Sequence, residues 1–145
     1  MFNNLLVPVS GDDLMGFELK RVAKLAKLNN AKITLVYVSD PLLPFYYLES
    51  GRKIPISEQE HRDVCAEFAK RVFAKGKKQL GDDLAVDTRH IFHRSISEGI
   101  IEAAKKVKAD VIVMASHRRN EFLGFFLGND AQDVIRQSKY PVLVL

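Results

Sequence analysis

Short, near-continuous aliphatic runs alternate along this chain with segments whose apolar residues recur at helical spacing, and that alternation restricts the fold more than any other feature. Residues 4–9 and 32–38 are short, aliphatic and partly β-branched, and read as strands. Between them Met15, Leu19, Val22 and Ala26 fall at i, i+4, i+7 and i+11, one stripe of a helix. Asn29 and Asn30 close it, because asparagine tolerates the left-handed conformation of a final turn. Ser57 followed by Glu60 is a capping box, in which the hydroxyl accepts from the third amide while the carboxylate reaches back. The helix it opens carries Cys65, Phe68, Val72 and Phe73 on its apolar stripe; Gly76 weakens it and Gly81 ends it near Leu80. Residues 84–92 predict a third strand. Ser97 predicts the cap of a third helix over 98–106, with Ile100, Ile101 and Ala104 inward. Residues 111–115 read as a fully buried strand, 130–138 as a short helix, and 142–145 as a last strand after Pro141. Residues 39–56, with three prolines, Gly51 and the aromatic run Phe45, Tyr46 and Tyr47, predict a long irregular connection, and 116–127 a loop.

Strands with no polar face must be covered on both sides, so the pattern predicts an α/β, doubly wound, five-stranded parallel sheet with helices on both faces. Right-handed crossovers make the strand order reverse once, and ligands in such sheets sit at that reversal, outside the carboxyl ends of the strands. The candidate site is therefore built from Ser10 and Gly11 after the first strand, Ser39 and Asp40 after the second, His93 and Arg94 after the third, and residues 115–118 after the fourth. Gly128 and Asn129 lead into the helix beyond that loop.

At 145 residues the chain is expected to be one domain, residues 1–145. Its 22 Lys and Arg against 18 Asp and Glu give a net charge of +4. That charge is dispersed along the sequence without interleaved aromatic residues, which predicts no nucleic-acid partner. Cys65 is the single cysteine, so no intramolecular disulfide or paired-cysteine zinc motif can form, as suits a reducing, cytoplasmic setting. The start of the chain has no secretion-signal pattern. The longest apolar runs, 5–9, 111–115 and 142–145, fall far below the roughly 20 residues of a membrane span, so no membrane partner is expected.

Ser10, Ser116, His93, His117 and Asp12 all fall near the predicted ligand edge, yet no nucleophile-elbow spacing joins them, and catalytic residues are expected to be none. His61, His90, His93 and His117 show no metal-ligand spacing, so the metal expectation is also none. Asp12 and Asp13 would suit the acidic pair of a phosphoryl-accepting receiver. The third strand, however, ends His90-Ile91-Phe92-His93 without a phospho-accepting Asp, and no Lys stands near the last strand's end.

The tracts Met114-Ala115-Ser116-His117-Arg118-Arg119, Leu127-Gly128-Asn129-Asp130-Ala131-Gln132-Asp133-Val134-Ile135 and Tyr140-Pro141-Val142-Leu143-Val144-Leu145 resemble the C-terminal half of the universal stress protein family. The start, Leu6-Val7-Pro8-Val9-Ser10-Gly11, resembles its first strand and loop, so the resemblance covers essentially the whole chain. It implies an adenine nucleotide alpha hydrolase-like sheet of order 3-2-1-4-5, a cytoplasmic stress-response role, and a homodimer made by pairing the final strands. Val142, Leu143, Val144 and Leu145 suit that pairing on their own account, since an apolar edge strand needs a cover.

Members of the family that bind ATP carry Gly, two residues, Gly, nine residues, Gly, then Ser or Thr, and an Asp at the end of the first strand for the base. On this chain those positions are Ala115, Arg118, Gly128 and Asn129, with Ser10 in the place of the Asp, so one position of the four-residue motif matches. Arg118 puts a long side chain where close backbone approach is wanted, and Asn129 caps the amides that a phosphate would receive. Asp130 repels phosphate by about 1–4 kcal/mol at close range. Two lost hydrogen bonds at roughly 1 kcal/mol each bring the total to about 3–6 kcal/mol. At tenfold per 1.4 kcal/mol, a micromolar site falls to about millimolar or weaker.

The cofactor expectation is therefore none, with ATP at low affinity, on a degraded nucleotide site of Pro8, Val9, Ser10, Val38, Ala115, His117, Arg118, Gly128, Asn129 and Asp130. The alternative is a nucleotide-binding sensor or weak ATPase in which Arg118 and Arg119 hold the phosphates by bidentate contacts, aided by His93, Arg94 and His117. Residues 121–127 hold Phe122, Leu123, Phe125, Phe126 and Leu127, an apolar density that predicts packing over the degraded cleft or at the dimer interface, ahead of a surface for an unknown protein partner.

Overall fold

In a computed structural model of the chain, the residues described are 1–10, 15–41, 47–49, 52–54, 57–115 and 129–145. The elements in chain order are β1 (Asn4–Pro8), α1 (Met15–Asn29), β2 (Lys32–Ser39), β3 (Tyr47–Glu49), β4 (Arg52–Ile54), α2 (Glu58–Leu80), β5 (Val86–Phe92), α3 (Ile96–Lys106), β6 (Val111–Met114), α4 (Asn129–Gln137) and β7 (Val142–Val144). Five strands form one parallel sheet in the order β5-β2-β1-β6-β7, which is 3-2-1-4-5 once the separate pair β3-β4 is set aside.

Side chains alternate across the sheet and divide the core in two. Leu5, Val7, Ile33, Leu35, Val111 and Val113 face α1 and α2, where Leu19, Val22, Ala26, Val72 and Phe73 meet them. Leu6, Val36, Ile112 and Met114 face the other way, onto Ile100, Ala103 and Ala104 of α3 and Ala131 and Val134 of α4. Leu5, Leu6, Ile33, Leu35 and Ile112 are wholly buried, as strands covered on both faces require. The aliphatic runs of the sequence are thus the central strands, and the most polar strand, β5, lies at an edge.

Local signals set most boundaries. Ser57 Oγ accepts from the Glu60 amide at 3.1 Å, and α2 ends at Gly81, whose φ of 92° needs a residue without a Cβ. Asn30 closes the turn after α1 at φ 52°. Three expectations are corrected. The cap of α3 is Ser95, whose Oγ accepts from the Glu98 amide at 3.3 Å; Ser97 lies one turn-position inside the helix and is buried. Ala103 is fully buried while Ile101 is only half-buried, because Ile100, Ala103 and Ala104 stand at i, i+3 and i+4 on one face and Ile101 lies about 100° round the helix from Ile100. The segment 39–56 is not wholly irregular: β3 and β4 pair antiparallel with Tyr47 opposite Ile54, Leu48 opposite Lys53 and Glu49 opposite Arg52. A Gly-containing pair between two short runs favours such a ladder, and Ser50-Gly51 was the signal. The expected loop 116–127 lies outside the described residues, as do Phe45 and Tyr46.

A polar clip fixes the amino end of the central strand. Asp110 accepts from the Asn3 amide at 2.7 Å and the Asn4 amide at 3.1 Å, while Asn4 Nδ2 donates to the Val107 carbonyl at 2.8 Å. The buried Thr34 hydroxyl donates to Asn4 Oδ1 at 3.3 Å, which joins β1, β2 and the turn after α3. Replacing Asn4 by Leu strands the Thr34 hydroxyl and the Val107 carbonyl, and should lower unfolding free energy in urea by about 1–3 kcal/mol.

Candidate functional site

The first helix crossover carries the chain from β1 to β2 on one side, and β6 returns to β1's other side, so the order reverses between β1 and β6. A cavity of about 320 Å³ opens there, at the carboxyl ends of β1, β2 and β6. That volume lies at the lower end of the range for small-molecule sites. Pro8, Val9 and Ser10 form one side, Val36, Tyr37 and Val38 a second, and Met114 and Ala115 a third. Phe68 of α2, Ile96 and Ile100 of α3, and Asp130 and Ala131 of α4 complete it.

Of the site residues expected from the sequence, Pro8, Val9, Ser10, Val38, Ala115 and Asp130 are brought together on this one cavity. Asn129 opens α4, and His117, Arg118, Arg119 and Gly128 lie outside the described residues. Ala115 has no positive φ, a conformation that among the described non-glycine residues only Asn30 and Lys108 adopt, so its methyl group carries no backbone strain. Asp130, exposed on the first turn of α4, places its carboxylate at the amino end of that helix, where an anion would otherwise be drawn.

His93 does not reach the cavity as an expected source of charge. Its Nδ1 accepts from the Ser95 amide at 3.0 Å and its Nε2 stands 3.7 Å from Glu98, so the imidazole is part of the α3 cap. Tyr37 and Phe68, which the strand and helix patterns treated as ordinary core positions, make an aromatic corner, with ring centroids 5.6 Å apart at 50°. Phe68 is 37% exposed, a value that marks it as a cavity wall rather than a core residue. An aromatic on the rim side of a helical stripe, level with a strand's carboxyl end, was the available signal.

Beyond that corner a stack of rings continues outward. His90 lies 5.9 Å from Tyr37 and 4.6 Å from Phe92, and the Arg62 guanidinium sits 4.8 Å over the Phe92 ring. His90 Nε2 and Ser39 Oγ are 2.7 Å apart. Burial raises the Tyr37 hydroxyl's pKa, with a smaller contribution from Cys65, so the phenol stays neutral. Buried His61 holds the Asp40 carbonyl at 2.9 Å, tying the start of α2 to the end of β2. Among the described residues no three His, Cys, Asp or Glu side chains are grouped to hold a metal ion, and no helix is long and apolar enough to cross a membrane.

Three comparisons bear on this geometry. The Universal stress protein family matches residues 1–145. Universal stress protein MJ0531 of Methanocaldococcus jannaschii is 27% identical over 150 residues, covering 100% of this chain and 82% of that protein. Among solved structures, universal stress protein UspA from Lactobacillus plantarum superposes with a TM-score of 0.73 at 20% identity, over 99% of this chain and 97% of that one. The universal stress protein from Archaeoglobus fulgidus in complex with dAMP does so with a TM-score of 0.61 at 19% identity, over 98% and 96%. These structures share the fold.

Burial lowers the His90 pKa, so the folded state binds fewer protons here than the unfolded chain does. His90 therefore contributes no penalty above the ordinary histidine value of about 6.5, and stability falls as pH drops below it. Urea titrations from neutral to acidic pH should show that slope, and His90→Gln should flatten it.

Proposed function

The chain belongs to the universal stress protein family, and we propose that it works as a cytoplasmic stress-response homodimer, acting through protein contacts and with weak or no ATP binding. The observation that carries this reading is Asp130 on the wall of the carboxyl-edge cavity. A triphosphate entering at the reversal point would meet that carboxylate at the amino end of α4, and the remaining lining is mostly apolar. Ser10 stands where nucleotide-binding relatives carry an acid for the base. No residue is assigned a catalytic role.

A nucleotide-sensor reading has specific support of its own. One structural relative is a complex with cAMP and another a complex with dAMP, ligands with a single phosphate. The cavity stands at the place where α/β sheets take ligands, and Arg118 and Arg119 follow it closely in sequence. The two readings separate in calorimetry. The chain as it stands should give no saturable heat with ATP up to about millimolar concentration. Ala115→Gly, Arg118→Gly and Asn129→Ser together should strengthen ATP binding about thirtyfold, two hydrogen bonds' worth, and Asp130→Asn should add to it.

The dimer reading rests on β7. It pairs with β6 through Ile112–Val142, Val113–Leu143 and Met114–Val144, and it is the last strand of the sheet. Residues 142–145 are only half-buried, an apolar edge that a second copy of the strand would cover. Val144→Pro, which removes an amide of the open edge and leaves the Leu145 amide on the Met114 carbonyl, should convert a dimer to monomer in light scattering while leaving the far-ultraviolet circular dichroism unchanged.

A further inference from the structure

The positive charge that is dispersed along the sequence converges on one face when the chain folds. In α1, residues 19–29 hold Lys20, Arg21, Lys24 and Lys27 and no carboxylate; in α2, residues 69–80 hold Lys70, Arg71, Lys75, Lys77 and Lys78 and no carboxylate. All nine are exposed. Lys20, Lys24 and Lys27 fall at i, i+4 and i+7, and so do Arg71, Lys75 and Lys78, which makes each set one stripe along its helix.

The two stripes follow one another along the face. Both helices follow parallel strands and pack together on the same side of the sheet. A Cβ added to Gly76 of α2 would stand 3.9 Å from Leu19 Cδ1 of α1, and Lys27 at the end of α1 reaches Asp83 beyond α2 at 2.7 Å. Residue 19 is thus level with 76 and residue 27 with 83, so Lys78 falls level with residues 21–22 and the α1 stripe begins where the α2 stripe ends. Helix axes at contact lie about 8–10 Å apart. Each stripe is about 10 Å long at 1.5 Å per residue.

We propose that this α1–α2 face binds the phosphate backbone of duplex nucleic acid without sequence preference. End to end the two stripes run about 20 Å, which spans roughly six phosphates of one strand at 3.4 Å per step. The chemistry excludes the other anionic surfaces. Protein interface cores are depleted in lysine and enriched in aromatic residues, and membrane-surface helices present large apolar side chains opposite their lysines. Here the exposed positions among the cations are small or polar, with Leu28 at the end of α1 and Phe68 beneath Arg71 the exceptions, while the opposite sides of both helices are sealed against the sheet. α2 packs on β2 and β5, so its stripe lies away from the β7 edge and a dimer through β7 leaves it open. The inference does not depend on what the cavity binds.

The test is fluorescence anisotropy of a short random-sequence DNA duplex with the full chain across a salt series. Four to six neutralised phosphates give a slope of log K against log salt of about −4 to −5. Lys24→Gln, Lys75→Gln and Lys78→Gln together should reduce its magnitude by about 2–3 and weaken binding at least about tenfold at low salt. The comparison variant, Lys105→Gln, Lys108→Gln and Lys139→Gln, removes the same net charge from the α3–α4 side and should keep most of the affinity and slope. Circular dichroism confirms that each variant is folded. Absence of duplex binding at low salt, equal losses in the two triple variants, or tighter binding to a polyglutamate peptide or to anionic vesicles than to the duplex would each overturn the proposal.

Discussion

Burial of the central strands on both faces is the constraint from which the rest of the molecule follows. Leu5 and Leu6 are adjacent in sequence, point to opposite sides of the sheet and are both wholly buried, which is possible only if helices cover each side. Parallel strands then need crossover connections, the crossovers must use both faces, and the strand order must reverse once. The cavity at Pro8 to Ser10 and Met114 to Ala115 lies at that reversal, so the position of the site is set by the core and not by the residues that line it. The clip of Asn4, Thr34 and Asp110 holds the opposite end of the same central strand, and a shift of β1 along its axis would break it.

The helices carry this arrangement into the surface. Each runs from the carboxyl edge of the sheet back toward the amino edge; α3 and α4 meet the cavity with their first turns, and the longer α2 passes it at Phe68. Acidic residues occupy first turns, as Glu18, Glu58, Glu60, Glu98 and Asp130 do, and basic residues occupy last turns, as Lys27, Lys77, Lys78, Lys105, Lys106 and Arg136 do. Both complement the helix dipole. Repeated over four helices pointing the same way, the preference sets helix carboxylates and helix ammonium groups at opposite ends of the helical layers.

How much of this was legible in the sequence depended on whether a signal was local or required a neighbour. Helix boundaries were legible where apolar period and capping chemistry agreed, whereas the strand order came from the family resemblance: Ser57 with Glu60, Asn30 and Gly81 all sit where their local chemistry placed them. Ser95 and Ser97 are both competent caps, and the choice between them turned on a hydrogen bond to Glu98 that spacing alone does not decide. Phe68 fits a helical stripe equally well as core or as cavity wall, and only the position of Tyr37 across from it shows which. Six of the expected site residues share the cavity because strand ends converge by topology, whereas the fold alone does not disclose which ligand they take. The adjacency of the lysines of α1 and α2 had no local signal, being a property of how two helices register on the sheet.

Gly99 carries a consequence for the cavity. A methyl group at that position would lie 2.9 Å from Val38 Cγ1 and 3.1 Å from His93 Cβ, so α3 rides against β2 more closely than any side chain there would permit. Ile96 and Ile100, on the same helix, are the wall opposite Val36 and Val38. The width of the chamber is therefore gauged by a missing carbon behind its wall, and a lineage that restored that carbon would press on Val38, widen the vestibule and change its clientele without replacing one of the side chains that line it.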